Sequence, residues 1–209
     1  MKKHFSFTLV ELLGAMALIV ILAGIAFSGY SYAMNKAKES ATTSTIKQIE
    51  TALNAAKIKA GYFPASKTSS DSKSIYTVIV FEVDSSTELL KSIKFCKPDD
   101  SDPDKLGEVK CELSADKNKK LFAEFKKIID FEAIRQNLND KGVLEDGFGG
   151  KIYYAFPGKI NKTGFDLVSA GADGVFAKDE DKDGKPDNDS ARSDYYGGNE
   201  RIVDDISNF

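Results

Sequence analysis

An acidic segment close to the C-terminus holds the side chains whose spacing could support chemistry. It reads DEDKDGKPD over residues 179–187, with aspartates at three alternate positions and a glycine after them. Carboxylates at alternate positions can converge on one hard cation, and glycine permits the sharp turn that a calcium loop requires. The spacing therefore predicts calcium bound by oxygen atoms of Asp179, Asp181, Asp183, Lys185 and Asp187, with the lysine contributing its backbone carbonyl.

The segment departs from an EF-hand loop, in which a glutamate at the twelfth position ligates through both oxygens. That position is Ser190 here, and no pair of flanking helices is evident in the sequence. The pattern is more similar to the calcium loops of dockerin and thrombospondin repeats. Six acids within residues 179–189 face only Lys182 and Lys185, so a bound cation would relieve their mutual repulsion. The alternative is a solvated acidic loop.

Other residue types that carry reactions are scarce in this chain. Its one histidine is His4, and neither a Gly-x-Ser-x-Gly sequence nor a phosphate-binding glycine loop occurs. A catalytic histidine or a His-ligated zinc in the body of the protein is therefore not expected, and we predict that the chain is not an enzyme. The formal net charge of −3 also argues against binding to nucleic acid.

Cys96 and Cys111 are the two cysteines of the chain. In an oxidising compartment we expect them to form one disulfide, which would stabilise the fold by about 3 kcal/mol through loop closure. The alternative is a pair of thiols, as expected in a reducing compartment.

The N-terminal part of the chain has the pattern of a membrane segment preceded by a short basic leader. Lys2 and Lys3 come first, Phe7 and Glu11 follow, and no charged residue occurs from Leu12 to Asn35. About 20 apolar residues suffice for a helix to cross a bilayer, and leading lysines favour a cytoplasmic N-terminus. A carboxylate at mid-membrane depth costs roughly 2.5–3.5 kcal/mol, so we expect Glu11 to have a function.

This stretch resembles the class III leader of type IV pilins and type II secretion pseudopilins. The resemblance implies that a prepilin peptidase cleaves between Ser6 and Phe7 and that the new amine of Phe7 is methylated. Ser6 stands where the family usually has glycine. The resemblance further implies assembly into a filament, in which Glu11 pairs with the amine of a neighbouring subunit and fixes its register. An ordinary signal peptide or a simple membrane anchor is the alternative.

Beyond the apolar segment, the helical pattern continues and becomes amphipathic. Apolar residues recur at helical spacing along one narrow stripe, and Gly61 is a good helix stop. We predict one helix over residues 7–61, about 80 Å long, whose transmembrane part covers about 12–35. The stripe consists of Ile46, Ile49, Leu53, Ala56 and Ala60.

The middle of the chain mixes strand and helix signals. Residues 75–83 are β-branched and aromatic and predict a strand, and residues 117–139 have helical spacing. Ser86, Thr87 and Glu88 could cap a short helix through Phe95. We interpret about 65–145 as an insert that covers one flank of a sheet.

Three later stretches are similar to the major pseudopilin. They are DGFGGKIYY from Asp146, FDLVSAGADG from Phe165 and DDISNF from Asp204. In that family a calcium ion ties the Gly-Ala-Asp loop to an aspartate near the C-terminus. The resemblance implies a second cation site formed by Asp173 and Asp205, with Asp204 beside them and backbone carbonyls of Ala170 and Val175.

Together these features predict an α+β protein. Its parts would be a leader (1–6), a long helix (7–61) and a head (62–209) in which a small antiparallel β-sheet packs on the helix and an acidic loop (173–205) binds calcium. The resemblance implies a homo-oligomeric helical pseudopilus, assembled with other pseudopilins by an inner-membrane platform and its ATPase. The chain would cross the bacterial inner membrane once, with the head in the periplasm. A type IV pilus subunit, acting in adhesion, motility or DNA uptake, is the alternative, and a monomeric anchored module is a third.

Overall fold

A computed structural model of the 209-residue chain describes residues 9–64, 66, 75–84, 86, 89–98, 106–107, 115–174 and 206–208. By its internal contacts the chain divides into two compact units, Met1–Ala37 and Lys38–Phe209. Within the described residues, the first unit contains only helix and the second contains helices and a sheet. The predicted α+β class is therefore confirmed.

A single helix, α1, covers Leu9–Ala60. It ends where the sequence predicts, because Gly61 adopts a φ of 90° that side-chain-bearing residues rarely tolerate, and its N–H donates to the Lys57 carbonyl at 2.6 Å. The residues buried in this helix are Thr42, Thr45, Ile46, Ile49, Ala52, Leu53 and Ala56. The predicted apolar stripe is thus the covered face of the second half of α1.

Within the described residues, one antiparallel sheet has six strands: β1 Thr77–Val83, β2 Leu90–Pro98, β3 Leu106–Gly107, β4 Tyr153–Ala155, β5 Asp166–Ser169 and β6 Ile206–Ser207. Their order in the sheet is β3-β2-β1-β4-β5-β6. The two long strands, β1 and β2, are joined to the short strands β4, β5 and β6 by the pairing of β1 with β4.

Two further helices, α2 (Ala115–Ile128) and α3 (Phe131–Arg135), lie where one helical stretch over 117–139 is predicted. The pattern is interrupted at Asp130, whose carboxylate accepts from the Ala133 N–H at 3.3 Å and caps α3. An N-cap aspartate adopts extended backbone geometry, so it starts a new helix instead of continuing the old one.

The prediction of a short helix through Phe95 is wrong, because Leu90–Pro98 is strand β2. Asp84 accepts from both the N–H and the hydroxyl of Ser86, so the polar residues there make a turn instead of a helix cap. The Asp84 N–H also donates to the Leu89 carbonyl at 2.9 Å, which brings β2 back antiparallel to β1. Residues 65–145 therefore supply strands β1, β2 and β3 of the sheet in addition to α2 and α3.

Apolar side chains cover both faces of the sheet. On one face the α1 stripe meets Ile79, Phe81, Tyr154 and Leu167, all nearly inaccessible to solvent. On the other face a separate buried cluster contains Tyr76, Val78, Val80, Cys96, Tyr153 and Val168. Strand residues alternate between the two clusters, as the period of two requires, so β1 and β4 are buried on both sides.

Candidate functional site

The first half of α1 exposes nearly every large apolar side chain that it carries. From Leu9 to Met34 these side chains are between 41% and 77% exposed. Among the described residues, α1 is the one helix long and apolar enough to cross a membrane, and the span it offers has none of its residues buried. Such a surface requires lipid or other apolar helices around it.

Glu11 lies in the first turn of α1, as the described helix begins at Leu9. A carboxylate in the first turn interacts favourably with the positive end of the helix dipole. It is exposed among apolar neighbours. The predicted cleavage residues, Ser6 and Phe7, lie outside the described residues.

The turn after β5 is where the resemblance places one cation site. Ala170 is buried there, whereas the Asp173 side chain is exposed. Gly171 and Gly174 adopt φ values of 67° and 70°, which bend the chain sharply at both ends of this turn. Ile206 in β6 pairs with Ser169, the residue before Ala170, so the residue after Asp205 lies beside this end of β5.

The donor chemistry of this turn is compatible with calcium, because Ala170 and Asp173 offer oxygen atoms only. Within the part of the chain that the structure describes, no three His, Cys, Asp or Glu residues come together to hold a metal ion. The remaining predicted ligands lie outside the described residues: Val175, Asp179, Asp181, Asp183, Lys185, Asp187, Asp204 and Asp205.

One cysteine of the predicted disulfide, Cys96, lies in β2 opposite Val78 and is buried. Cys111 lies outside the described residues, and the disulfide stays a prediction.

Asp146 is a buried carboxylate that the sequence reasoning did not single out as a site residue. Its Oδ1 accepts from the N–H groups of Phe148 and Gly150, both at 2.8 Å, and its Oδ2 accepts from the Ser169 hydroxyl. Ser169 Oγ in turn accepts from the Gly171 N–H at 3.1 Å. The carboxylate therefore joins the loop 146–150 to the turn after β5. The signal for it is an Asp followed by several glycines, which is typical of a side-chain-stapled turn.

Asp166 is a second, fully buried carboxylate, and it lies at the opposite end of β5 from Ser169, next to the loop between β4 and β5. It accepts from the N–H groups of Ile160 and Asn161, both at 2.9 Å, and Tyr76 Oη lies 3.4 Å from its Oδ2. These contacts satisfy backbone donors of the loop between β4 and β5. We infer a structural role for Asp166 because its bonds go to that loop and to a core tyrosine.

Two hydroxyl groups connect the covered half of α1 to the residues that precede β4. The Gly147 N–H donates to Thr42 Oγ1 at 2.8 Å, and Asn137 Nδ2 donates to Thr45 Oγ1 at 2.9 Å. Both threonines also donate to the carbonyl one turn back in α1. No local pattern indicates these contacts, since Thr42 and Gly147 are 105 positions apart in the sequence.

A cleft of about 500 Å³ opens where β1 ends, lined by residues of both charges that include Glu82, Lys91 and Arg135. Glu82 is paired with Lys94 at 2.6 Å and accepts from Ser92. These hydrogen bonds, with the one from Lys94 the stronger influence, hold the pKa of Glu82 below its usual value. Neither Glu11 nor any described member of the turn after β5 lines this cleft.

Residues 1–27 match the family described as the prokaryotic N-terminal methylation motif. This match includes Ser6, Phe7, Glu11 and the first part of the exposed apolar helix. No curated protein and no solved structure matches the chain. The motif indicates a protein of the pilin-like type and leaves the kind of filament open.

Proposed function

We propose that this chain is the structural subunit of a pseudopilus, the filament of a type II secretion system that drives protein export. The observation that carries the proposal is a methylation motif on a helix that exposes its apolar side chains from Leu9 to Met34. A membrane can cover that surface before assembly, and the same helices of neighbouring subunits can cover it afterwards. Polymerisation through α1 then exchanges lipid contacts for packing between helices.

Processing precedes assembly in this proposal. A prepilin peptidase cleaves between Ser6 and Phe7, and the amine of Phe7 is methylated. The new cation then lies one helical turn before Glu11, within reach of the Glu11 of an adjacent chain. In an apolar bundle, one charged pair aligns subunits axially because any other alignment leaves a charge without a partner.

The other partners follow from the same mechanism. Before assembly, the subunit lies in the inner membrane with its N-terminus in the cytoplasm and its head in the periplasm. An assembly platform and an ATPase extract it into the filament, and other pseudopilins contribute to that filament. This is a role in structure and transport, without catalysis.

Calcium binding is the second part of the proposal. Ala170 and Asp173 lie on a tight turn beside β6, and Asp204 and Asp205 directly precede Ile206 in the sequence. Asp173, Asp205, Asp204 and the carbonyls of Ala170 and Val175 would bind calcium in oxygen coordination, and the acidic segment 179–187 would also bind calcium through its own oxygen atoms. The ion would supply positive charge to an acid-rich end of the sheet, and no chemical reaction is attributed to it.

A type IV pilin is the competing proposal, favoured by the long middle region and by the cysteine pair. Deleting the gene distinguishes the two. A pseudopilus subunit is expected to be required for the appearance of exported proteins in the medium, with surface pili unchanged. Loss of surface pili or of twitching motility, with export intact, would favour the pilus. If neither phenotype appears, the filament proposal is wrong.

A further inference from the structure

We propose that Asp146 is a positioning residue for the turn after β5, and that through Ser169 it fixes the direction of the Ala170 carbonyl, one of the proposed calcium ligands. The inference rests on the calcium part of the proposed function. It adds to that site two residues, Asp146 and Ser169, that act on its geometry without serving as ligands.

The Ser169 hydroxyl lies between a carboxylate and a backbone N–H, and these two neighbours decide where its proton points. Ser169 and Asp146 are both buried, with exposed fractions of 0% and 6%. An ionised carboxylate can only accept hydrogen bonds. The hydroxyl therefore donates to Asp146 Oδ2 and offers a lone pair to the Gly171 N–H, which lies at 3.1 Å. Asp146 thus orients the group that binds the peptide between Ala170 and Gly171.

The direction of the Gly171 N–H determines the direction of the Ala170 carbonyl. The two groups belong to one planar trans peptide unit, in which the N–H and the C=O point to opposite sides. With the N–H bound to Ser169, the carbonyl faces away from that buried hydroxyl. Gly171 has a φ of 67°, but glycine accepts negative φ about as readily, so the residue type alone does not hold this peptide in place. The hydrogen bond to Ser169 selects one conformation.

The Asp146 carboxylate is itself held by a closed loop. Its Oδ1 accepts from the N–H groups of Phe148 and Gly150, and the Asp146 N–H donates to the Gly150 carbonyl at 2.7 Å. A Cβ on Gly150 would lie 2.9 Å from Asp146 Oδ2, so the loop closes tightly around the side chain. A carbonyl that is supported in this way is in place before a cation arrives, and such supporting contacts typically account for roughly 10–100-fold in metal affinity.

A carboxylate that only stabilises the fold is the alternative, and the chain contains a matched control for it. Asp166 is also buried, accepts from two backbone N–H groups and contacts a hydroxyl, that of Tyr76. It lies at the other end of β5, and its two backbone bonds go to the loop before that strand. Asp166→Asn should therefore destabilise the fold as Asp146→Asn does, without altering the turn.

Two variants interrupt the contacts between Asp146 and the turn at different points. Asp146→Asn keeps the shape of the side chain and one oxygen for the N–H groups of its loop, but it places an amide donor against the Ser169 hydroxyl. Ser169→Ala leaves the loop around Asp146 intact and removes the acceptor of the Gly171 N–H.

The test is a titration of the full-length protein in detergent with calcium chloride, followed by the amide resonance of Gly171. This resonance reports on the turn after β5 and not on the acidic segment 179–187. Wild type and Asp166→Asn are expected to saturate with the same Kd, and Asp146→Asn and Ser169→Ala are expected to raise it by about 10–100-fold. Without calcium, exchange of the Gly171 N–H with solvent should be about tenfold faster in these two variants than in the control.

A Kd in Asp146→Asn and Ser169→Ala equal to that of Asp166→Asn would overturn the inference while calcium binding stands. An equal rise of the Kd in all three variants would assign the effect to lost stability, which also overturns it. If Asp146→Asn does not fold, Ser169→Ala decides by the same two measurements. A wild-type Gly171 resonance that does not respond to calcium would contradict the calcium site at this turn, and the inference with it. None of these measurements requires a filament, so the pseudopilus proposal is tested separately.

Discussion

The pair formed by Phe7 and Glu11 carries the assembly proposal at the scale of single residues. Glu11 is in the first turn of α1 among exposed apolar side chains, and a carboxylate at membrane depth is costly. Cleavage before Phe7 would create a cation four residues earlier in the sequence. Methylation would keep that cation charged while removing one of its hydrogen-bond donors.

We predict that Phe7 is the N-terminal residue of the mature membrane protein and carries one methyl group. The physical reason is the match of residues 1–27 to a methylation motif, with Phe7 at the start of the apolar segment. Intact-mass measurement of the membrane fraction checks it. Retention of Met1–Ser6, or cleavage inside the apolar segment, would be incompatible with this processing.

The carboxylate of Glu82 is expected to make the stability of the head depend on pH. Its pKa is lowered by hydrogen bonds from Lys94 and Ser92, so its contribution to stability is fully present above the unfolded-state pKa of about 4.3. The contribution is lost as the pH falls through the lower folded-state pKa, because the carboxyl is then protonated in both states. The side chains of Glu82 and Lys94 are 36% and 45% exposed, so we expect their interaction to contribute only about 0.2–1 kcal/mol to the free energy of unfolding.

Glu82→Gln should therefore lower the unfolding free energy slightly at neutral pH, and the difference from wild type should vanish in acid. Denaturant unfolding at pH 7 and at about pH 2.5 measures it. Glu132→Gln serves as the control, as Glu132 is 77% exposed and 4.0 Å from Arg135. An equal effect of both substitutions at pH 7 would assign the change to net charge instead of to the bonds with Lys94 and Ser92.

At the scale of elements, α1 is one helix with two different surroundings. Its first half is exposed all round, and its second half buries one stripe and leaves Ile58 exposed at 82%. Helix propensity and the absence of Pro and Gly over residues 30–60 explain its continuity. The burial differs because only the second half carries polar residues on the side opposite its apolar stripe.

We predict that Leu53→Ala lowers the unfolding free energy by about 2–5 kcal/mol, because it leaves a cavity in the core under α1. Ile58→Ala, on the same helix but exposed, is expected to change it by less than about 0.5 kcal/mol. Chemical denaturation in detergent compares the two variants. Similar effects from both would mean that Leu53 does not pack against the sheet.

The sequence predicted elements whose signals are local. The α1 stripe, the stop at Gly61 and the strand near Val78 follow from periodicity and from the chemistry of glycine. It did not predict β2, because a Ser-Thr-Glu cap and a turn look alike until the pairing with β1 decides. The hydrogen bonds of Thr42, Thr45 and Asp146 were not predicted either, because their partners are distant in the sequence.

At the scale of the whole molecule, the last strand of the sheet brings the C-terminal residues to the turn after β5. Asn208 fixes this strand, because its side chain accepts from the Leu167 N–H at 2.7 Å and donates to the Phe165 carbonyl at 3.2 Å. Ile206, which follows Asp204 and Asp205 in the sequence, is therefore held opposite Ser169, the residue before Ala170. The proposed calcium site depends on this arrangement.

We predict that calcium raises the melting temperature of the full-length protein in detergent and that a chelator lowers it. A cation that binds only the folded form stabilises by about 2.7 kcal/mol at a hundredfold excess over its Kd. Magnesium should substitute poorly, since it demands a tighter octahedral geometry. A melting temperature that stays the same when calcium or chelator is added would contradict the proposed cation site.

Two variants then locate the ion. Asp205→Ala should abolish most of the calcium effect if the C-terminal aspartate dominates, whereas Asp181→Ala should abolish it if the acidic segment dominates. Glu124→Ala, which removes an acid of α2 paired with Lys127, is the control and should leave the effect of calcium intact.

Photo-cross-linking between α1 helices in native membranes tests whether copies of this chain assemble through α1. A photoreactive residue in place of Ile19, which is 64% exposed, should join copies of this chain into a ladder of oligomers. Glu11→Leu in the same background should leave the protein inserted and abolish the ladder, because the carboxylate that aligns neighbouring helices is gone. Adducts to lipid and monomer alone in the wild-type background, or an undiminished ladder with Glu11→Leu, would contradict assembly through this helix.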